Sequence, residues 1–524
     1  MADHNIYSVF RRSARADPDW PAVVFMGRVT TYGELDAEIA KMATRLRALG
    51  VERGDRVLMY SPNVPEYYAV NLGCAYAGAI FAPINVAFRV RELAYITQNA
   101  KADLAVVHAS LYKEFKDLVA GLPDAPRRVV LLGGPSPHAD SRVVGAIEDI
   151  PADTLEPPFD CDASFPSLIC YTSGSTSVPK AVLHSHGSTS YSAMTYAAVW
   201  RHRREDSGVV VPPLSWIFGI STTSMGMFAA GSTVILLPRF HPERTLEAIE
   251  SHRATMFFGT TSMYTKMLDV MRHRDFDLSS LRFCMIGGEP CPESAVRPVE
   301  QRIGRRLIQA WALTENHPMV AMDANDVNAP RGTAGRVVPG GKLRILDPSG
   351  NEVPDGTPGE ACVSGPGAMT GYYREPQLTA ERMAPDGSIR TGDLVVRDKD
   401  GYVFVVGRVS DMIIRSGANI APAEVETVLL DFPGIAAACV VGSPDPVSGE
   451  AIVAYVVTIA GMSVDREELL AHLQRNLAHF KVPQSIVFRD ELPTNTSGKL
   501  DRAALKAMAA QDASNTTASA TRSV

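Results

Sequence analysis

The stretch TYGELDAEIAKMATRLRALGVERGDRVLMYS, Thr31 to Ser61, constrains the fold more than any other. Thr31 and Glu34 form a capping-box pattern. Leu35, Ile39, Met42, Leu46 and Leu49 then recur at spacings of four and three, which gives a helix one apolar face. Gly50 stops that helix, and RVLMYS follows as a short buried strand. Another helical stretch begins at Pro65, and ADLAVVHA and RRVVLLGG supply further short apolar strands. Helices alternating with such strands specify an α/β sheet layered with helices. The chain has 524 residues, more than one hydrophobic core usually serves, so several packed units are expected.

The pattern changes after about Val320. GKLRILDPSGNEVPDGTPGEACVSG sets Gly, Pro and Asp between short β-prone runs and reads as hairpins of a β-rich subdomain. A last unit begins near Asp411, with a helix in AEVETVLLDF, strands in IAAACVVGS and AIVAYVVTI, and a helix in DREELLAHLQRNLAHF. Asp465 and Glu468 cap that last helix, and Leu469, Leu470, Leu473 and Leu477 form its apolar face. The expected organisation is therefore a large N-terminal domain over residues 1–410, built of layered α/β sheets plus the β-rich subdomain. A small α+β domain follows over residues 411–510. The small polar residues of 511–524 predict a disordered tail.

A net charge of −7 speaks against nucleic acid as the main partner. Seven cysteines without a C-x-x-C pair read as reduced thiols of a cytoplasmic protein, speak against zinc, and place Cys284 and Cys439 in the core. The N-terminus has no apolar segment of the secretory type. Val70 to Phe88 carries no charge, but Gly, Asn and Pro interrupt it. It reads as a buried helix followed by a strand, so no transmembrane segment is expected.

YTSGSTSVPKAVLHSH, Tyr171 to His186, is where chemistry concentrates. Every residue from Tyr171 to Ser177 is a hydroxyl residue or glycine, able to turn N–H and O–H groups toward an anion. Lys180 adds a positive charge for a phosphate, and Pro179 stiffens the backbone beside it. Composition alone fits equally a polar surface loop with a solvated lysine. The stretch is not the GxxxxGK[ST] loop, because Val178 and Pro179 precede Lys180 and Ala181 follows it.

The loop resembles the phosphate-binding signature TSGTTGxPKG of the adenylate-forming superfamily, in its acyl-CoA synthetase branch. Thr172, Ser173, Gly174, Thr176, Pro179 and Lys180 match, while Ser177 and Ala181 replace two glycines. Further stretches match in order, though most would read alone as ordinary turns. GGEP covers Gly287, Gly288, Glu289 and Pro290. WALTE, Trp311 to Glu315, resembles YGxTE. RTGDL carries Asp393, and GRVSDMIIRSGANIAPAEVE carries Arg408 and Ser410. LPTNTSGKLDRAAL carries Lys499. The resemblance spans roughly Thr31 to Leu505.

The resemblance implies the following roles. Lys499, Lys180, Thr314 and Glu315 serve catalysis. Thr172, Ser173, Gly174, Ser175, Thr176, Gly288, Glu289, Pro290, Trp311, Asp393 and Arg408 bind ATP or AMP. Glu315 and Thr176 hold Mg²⁺. Trp216, Phe218 and Gly219 of PPLSWIFGI, with Gly287 and Ala312, line an acyl pocket. Trp216 stands where a histidine is usual, and Ala312 replaces a glycine at the pocket floor. Ser416, Gly417 and Lys481 meet coenzyme A, and Ser410 is the hinge of a mobile C-terminal domain. The implied activity joins a carboxylic acid, aryl or short-to-medium in length, to CoA through an acyl-AMP intermediate. Loading of a separate carrier protein, or a catalytically silent nucleotide-binding homologue, are the alternatives. A homodimer is left open.

Overall fold

The computed structural model describes residues 4–152, 157–172, 179–289, 291–416, 418–445, 447–459, 461–494 and 500–521, without the side chains of 419 and 513–521. The chain divides into two compact units. The first comprises Met1–Cys291, Pro298–Leu343 and Val363–Ile389, and the second Pro292–Arg297, Arg344–Cys362 and Arg390–Val524.

The first unit holds two large mixed sheets. The helix of the opening stretch runs Tyr32–Ala48, with the Thr31–Glu34 capping box formed on both sides. Leu35, Ile39, Met42 and Leu46 are buried as their spacing requires. Gly50 follows with φ +76°, a left-handed conformation that glycine adopts without a Cβ penalty. The uncharged segment becomes a helix, Glu66–Ala77, buried from Tyr67 onward, and a strand, Ile80–Ile84. That strand lies inside an eight-stranded sheet, between Arg56–Tyr60 and Pro166–Thr172. The sheet continues outward through Leu104–His108 and Arg128–Leu132, the two apolar runs seen in the sequence. Its other edge is built from Lys180–Ser185 and the two-residue strand Gly371–Tyr372.

The nine-stranded sheet carries Met256–Gly259, Phe283–Gly287 and Leu307–Leu313 as parallel neighbours. Leu307–Leu313 then folds back antiparallel onto Asn316–Ala321. Cys284 sits in this sheet, fully buried.

The second unit carries the β-rich hairpins as a four-stranded sheet ordered Lys342–Leu346, Gly359–Ser364, Ile389–Arg397, Val403–Arg408. Its α+β module pairs Ile435–Asp445 antiparallel with Gly449–Thr458, with Ser485–Arg489 parallel on the far side. Two helices cover one face. Pro422–Leu430 buries Val425 and Leu429. Arg466–Asn476 buries Leu469 and Leu473 and is capped by Asp465, whose carboxylate accepts from the Glu467 and Glu468 N–H groups. Leu470 is half-buried. Cys439 lies in the core of this module, against Leu505 and Ala509.

Those last two residues belong to a helix, Arg502–Thr521, which overruns the segment expected to be disordered. RAALKAMAAQDASNTTASAT is rich in alanine, the best helix former. Docked by its first turns, the helix propagates at little cost per residue. No helix among the described residues is long and apolar enough to cross a membrane.

Candidate functional site

The hydroxyl-rich loop joins two antiparallel strands, Pro166–Thr172 and Lys180–Ser185, with Thr172 directly opposite Lys180. The lysine therefore starts a strand. In a GxxxxGK[ST] loop it would enter a helix, and here the helix, His186–Val199, begins only after the return strand. Ser173, Gly174, Ser175 and Thr176 lie outside the described residues.

The Thr-Glu pair is the two-residue turn of a second hairpin, with Leu313 opposite Asn316. The two hairpins meet at Tyr372. The strand Gly371–Tyr372 pairs with Lys180–Ser185, aligning Tyr372 with Val182. The Tyr372 hydroxyl donates to Glu315 Oε1 at 2.7 Å, and Lys180 Nζ lies 5.7 Å from the centre of its ring. Burial first, then the Glu315 carboxylate, raise the Tyr372 pKa and keep the phenol protonated as a donor. The Met369 N–H holds the Glu315 carbonyl at 2.8 Å. Ammonium, phenol and carboxylate thus converge beside the end of the hydroxyl-rich loop.

Trp311 is buried whereas its neighbour Ala312 is exposed, at a point where the strand register shifts. Gly287 ends its strand opposite Ala310, and a Cβ there would stand 2.7 Å from Met285 Cε and 3.1 Å from the Ala310 carbonyl. Gly288 follows at φ +78°. The Glu289 carboxylate accepts from the Ser262 N–H at 2.9 Å and from its hydroxyl at 3.1 Å, so this acid caps the helix Thr261–Met271. Pro290 lies outside the described residues.

Trp216 and Phe218 are half-buried at the head of a π-helical segment, Phe218–Met225. Such segments are rare and concentrate at functional sites. A Cβ on Gly219 would come within 2.2 Å of the Pro213 carbonyl oxygen, which only glycine allows. Asn63, buried, fastens this loop: its amide donates to the Pro212 carbonyl at 3.1 Å and accepts from the Leu214 N–H at 2.9 Å. On the strand leading into the hydroxyl-rich loop, the Cys170 thiol reaches the Ser215 carbonyl at 3.8 Å. Burial pushes that thiol up to about 12, so it is a packing group and not a nucleophile.

In the second unit, Asp393 and Arg408 are cross-strand partners, Nε to Oδ1 3.0 Å, with the aspartate buried and the arginine half-exposed. Ser410 is exposed in a short 3₁₀ turn and donates to Asp411 Oδ1 at 3.0 Å. Ser416 adopts φ +49° and its N–H meets the Ser448 carbonyl at 2.7 Å. Lys481 is engaged by both Glu424 oxygens, at 2.5 and 2.8 Å. Gly417 and Lys499 lie outside the described residues.

Sequence reasoning missed Tyr372, Asn63 and the buried His184, which donates to the Thr314 carbonyl. Asn63, a lone amide in the turn SPNVP ahead of an apolar helix, offered a local signal. Tyr372 and His184 offered none.

Known proteins resemble this chain over nearly its whole length. The AMP-binding enzyme family matches residues 10–373, and the AMP-binding enzyme C-terminal domain matches residues 424–499. A feruloyl-CoA synthase from an Amycolatopsis species is 38% identical over 490 residues, 93% of this chain and 96% of that protein. An indoleacetate–CoA ligase from Aromatoleum aromaticum is 33% identical over 490 residues, 93% of this chain and 95% of that protein. The ATP-bound structure of MatB from Rhodopseudomonas palustris is 29% identical, with a TM-score of 0.87 over 96% of this chain and 98% of that one. The chain belongs to the AMP-binding enzymes of the adenylate-forming superfamily, in the branch of the acyl-CoA synthetases.

Proposed function

We propose that the protein is an ATP-dependent carboxylate–CoA ligase that works through an acyl-adenylate. The carrying observation is the meeting of the Lys180 hairpin with the Thr314–Glu315 turn through Tyr372. The acid is aryl or short-to-medium in length, with aryl favoured. Trp216 and Phe218 are half-buried two residues apart, and two of the most similar relatives are named for aromatic acids.

In the first half-reaction a carboxylate oxygen of the acid attacks the α-phosphorus of ATP. The bond from that phosphorus to the bridging oxygen breaks, and pyrophosphate leaves. The acid is ionised at neutral pH, so no general base is needed, and the demand is to offset charge and hold groups in line. Lys180 faces the leaving phosphates with Thr172 and the loop Ser173–Thr176. Thr314 donates to the α-phosphate, Trp311 stacks on adenine, Asp393 accepts from the ribose hydroxyls with Arg408 beside it, and Lys499 stabilises the attack. Glu315 fits a hard divalent cation, because its carboxylate accepts from the neutral Tyr372 phenol and, among the described residues, is held in no ion pair. Mg²⁺ held there, with Thr176, would offset phosphate charge. In the second half-reaction the CoA sulfur attacks the acyl carbon, the bond to AMP breaks, and the thiol proton passes to solvent. Ser416, Gly417 and Lys481 serve CoA, and Ser410 serves as the hinge between half-reactions.

Purified protein with ATP, Mg²⁺ and a panel of carboxylic acids, followed by pyrophosphate release with and without CoA, tests this. Turnover that requires CoA and runs best with an aryl acid is expected. A burst unchanged by CoA overturns the choice of acceptor, and no acid-dependent release overturns the adenylation itself.

A further inference from the structure

Two histidines without a role above occupy the junction of the two hairpins. His184 is on the strand Lys180–Ser185, four residues after Lys180, and is fully buried. Its Nε2 lies 2.7 Å from the Thr314 carbonyl oxygen. A carbonyl only accepts, so Nε2 carries the proton and Nδ1 is the acceptor. Nδ1 faces the Ser188 hydroxyl at 3.2 Å, which also reaches the Ser185 carbonyl at 3.0 Å. Burial pushes the ring down to about 4, which keeps it neutral. His317, just past the Thr-Glu turn, packs edge-on against it with ring centroids 4.7 Å apart. The His317 Nε2 is 3.0 Å from the hydroxyl of Ser221, in the π-helical segment that starts at Phe218. A buried chain of polar groups thus runs from the Lys180 strand, through the Thr-Glu hairpin, to the segment behind the aromatic loop.

A leucine would fill the His184 site without burying a polar ring, so packing alone does not call for an imidazole. The ring supplies one thing an aliphatic side chain lacks, an N–H aimed at a carbonyl in the turn that carries Thr314 and Glu315. We infer that His184 is a positioning residue for the adenylation step: its Nε2–H fixes the Thr314–Glu315 turn against the strand that begins at Lys180, with His317 as the buttress. This rests on the adenylation reading above. Displacing a reacting constellation by about 1 Å costs on the order of 100-fold in rate.

The experiment measures acid-dependent pyrophosphate release, kcat and KM separately, for wild type, His184→Leu, His184→Met and His184→Gln, with the thermal midpoint of each. Wild-type turnover must come first, and its absence would condemn the adenylation reading before the variants are compared. Gln reaches about as far as imidazole and restores the N–H, whereas Leu and Met keep bulk alone. The expected result is a loss of about 10- to 100-fold in kcat for Leu and Met. KM for the acid should change less than about threefold, and Gln should return to within about threefold of wild type in kcat, at midpoints similar to Leu. Met answers the question if Leu does not fold. Wild-type kcat in Leu or Met, or a Gln variant as impaired as Leu, would overturn the inference.

Discussion

The two units hold their site residues by opposite means. In the first, neutral donors orient the acids and the turn: the Tyr372 hydroxyl on Glu315, the Ser262 N–H and hydroxyl on Glu289, the His184 ring on Thr314. In the second, the charged residues hold one another: Arg408 on Asp393 and Lys481 on Glu424. A neutral brace leaves a carboxylate's charge to act on an incoming cation. An ion pair offsets it, so a ligand must take the place of an existing partner. The first arrangement suits a surface that meets phosphates and a metal ion in one fixed geometry. The second suits a unit that exchanges partners between two half-reactions.

Acid should break this comparison most visibly. Burial pushes His184 and His202 down to about 4, and holds His317 well below its ordinary value, all in the first unit. The second unit's His472 and His479 are not buried. Between pH 6.5 and about 4 the unfolded chain binds protons that the folded histidines refuse, so stability falls as pH falls through this window. Each such histidine costs about 1.4 kcal/mol per pH unit there. Hydrogen exchange across a pH series should show the first unit opening first. Simultaneous loss of both units, or a stability flat from pH 6.5 to 4.5, would contradict this.

Next in size is Lys499→Ala. A well-aimed cationic donor is worth on the order of 100- to 1000-fold. The substitution should lower acid-dependent pyrophosphate release by that much, and leave thioester formation from supplied acyl-AMP within about threefold, because under the proposed hinge at Ser410 Lys499 serves the first half-reaction alone. Equal losses in both half-reactions would mean that the second unit keeps one set of partners throughout.

Local features of the fold were legible and distant ones were not. The Thr31–Glu34 cap, the leucine faces and the Asp465 cap are decided within one or two helical turns, where residue spacing is itself the geometry. The family motifs led to Glu315, Asp393 and Arg408, but no spacing showed what holds them. Tyr372 is 57 residues from Glu315, and His184 is 130 from Thr314. Those contacts exist because a two-residue strand adds to a sheet edge and one hairpin turn rests on another. WALTE is a further case: adjacent Trp311 and Ala312, assigned by the resemblance to the nucleotide and to the acyl pocket, differ in burial where the register shifts between Trp311 and Leu313. The helix past residue 511 was misread by weighing polarity above alanine propensity.

Tyr372→Phe tests the neutral brace with a smaller effect. The ring stays beside Lys180 and only the hydroxyl on Glu315 is removed. Hydrogen bonds to charged groups are worth about 1.5–3 kcal/mol, part of which water will replace at this half-buried carboxylate. Adenylation should slow about tenfold, with the thioester step unchanged and the Mg²⁺ concentration for half-maximal rate raised. An unchanged Mg²⁺ dependence would mean that Glu315 holds its orientation without the phenol.

The smallest effect concerns Lys481, where the second unit's ionic logic makes a prediction opposite to that for a braced residue. Partly exposed pairs contribute about 0.2–1 kcal/mol, so breaking Lys481–Glu424 should barely move the thermal midpoint. If Lys481 serves a CoA phosphate, Glu424 is its competitor. Lys481→Ala should then raise KM for CoA a few-fold, roughly the value of one exposed ion pair, while Glu424→Gln should lower it by a similar factor. For a brace, removing either partner would do harm. A Glu424→Gln variant with a higher KM for CoA would therefore make the pair structural, and would remove Lys481 from the CoA contacts.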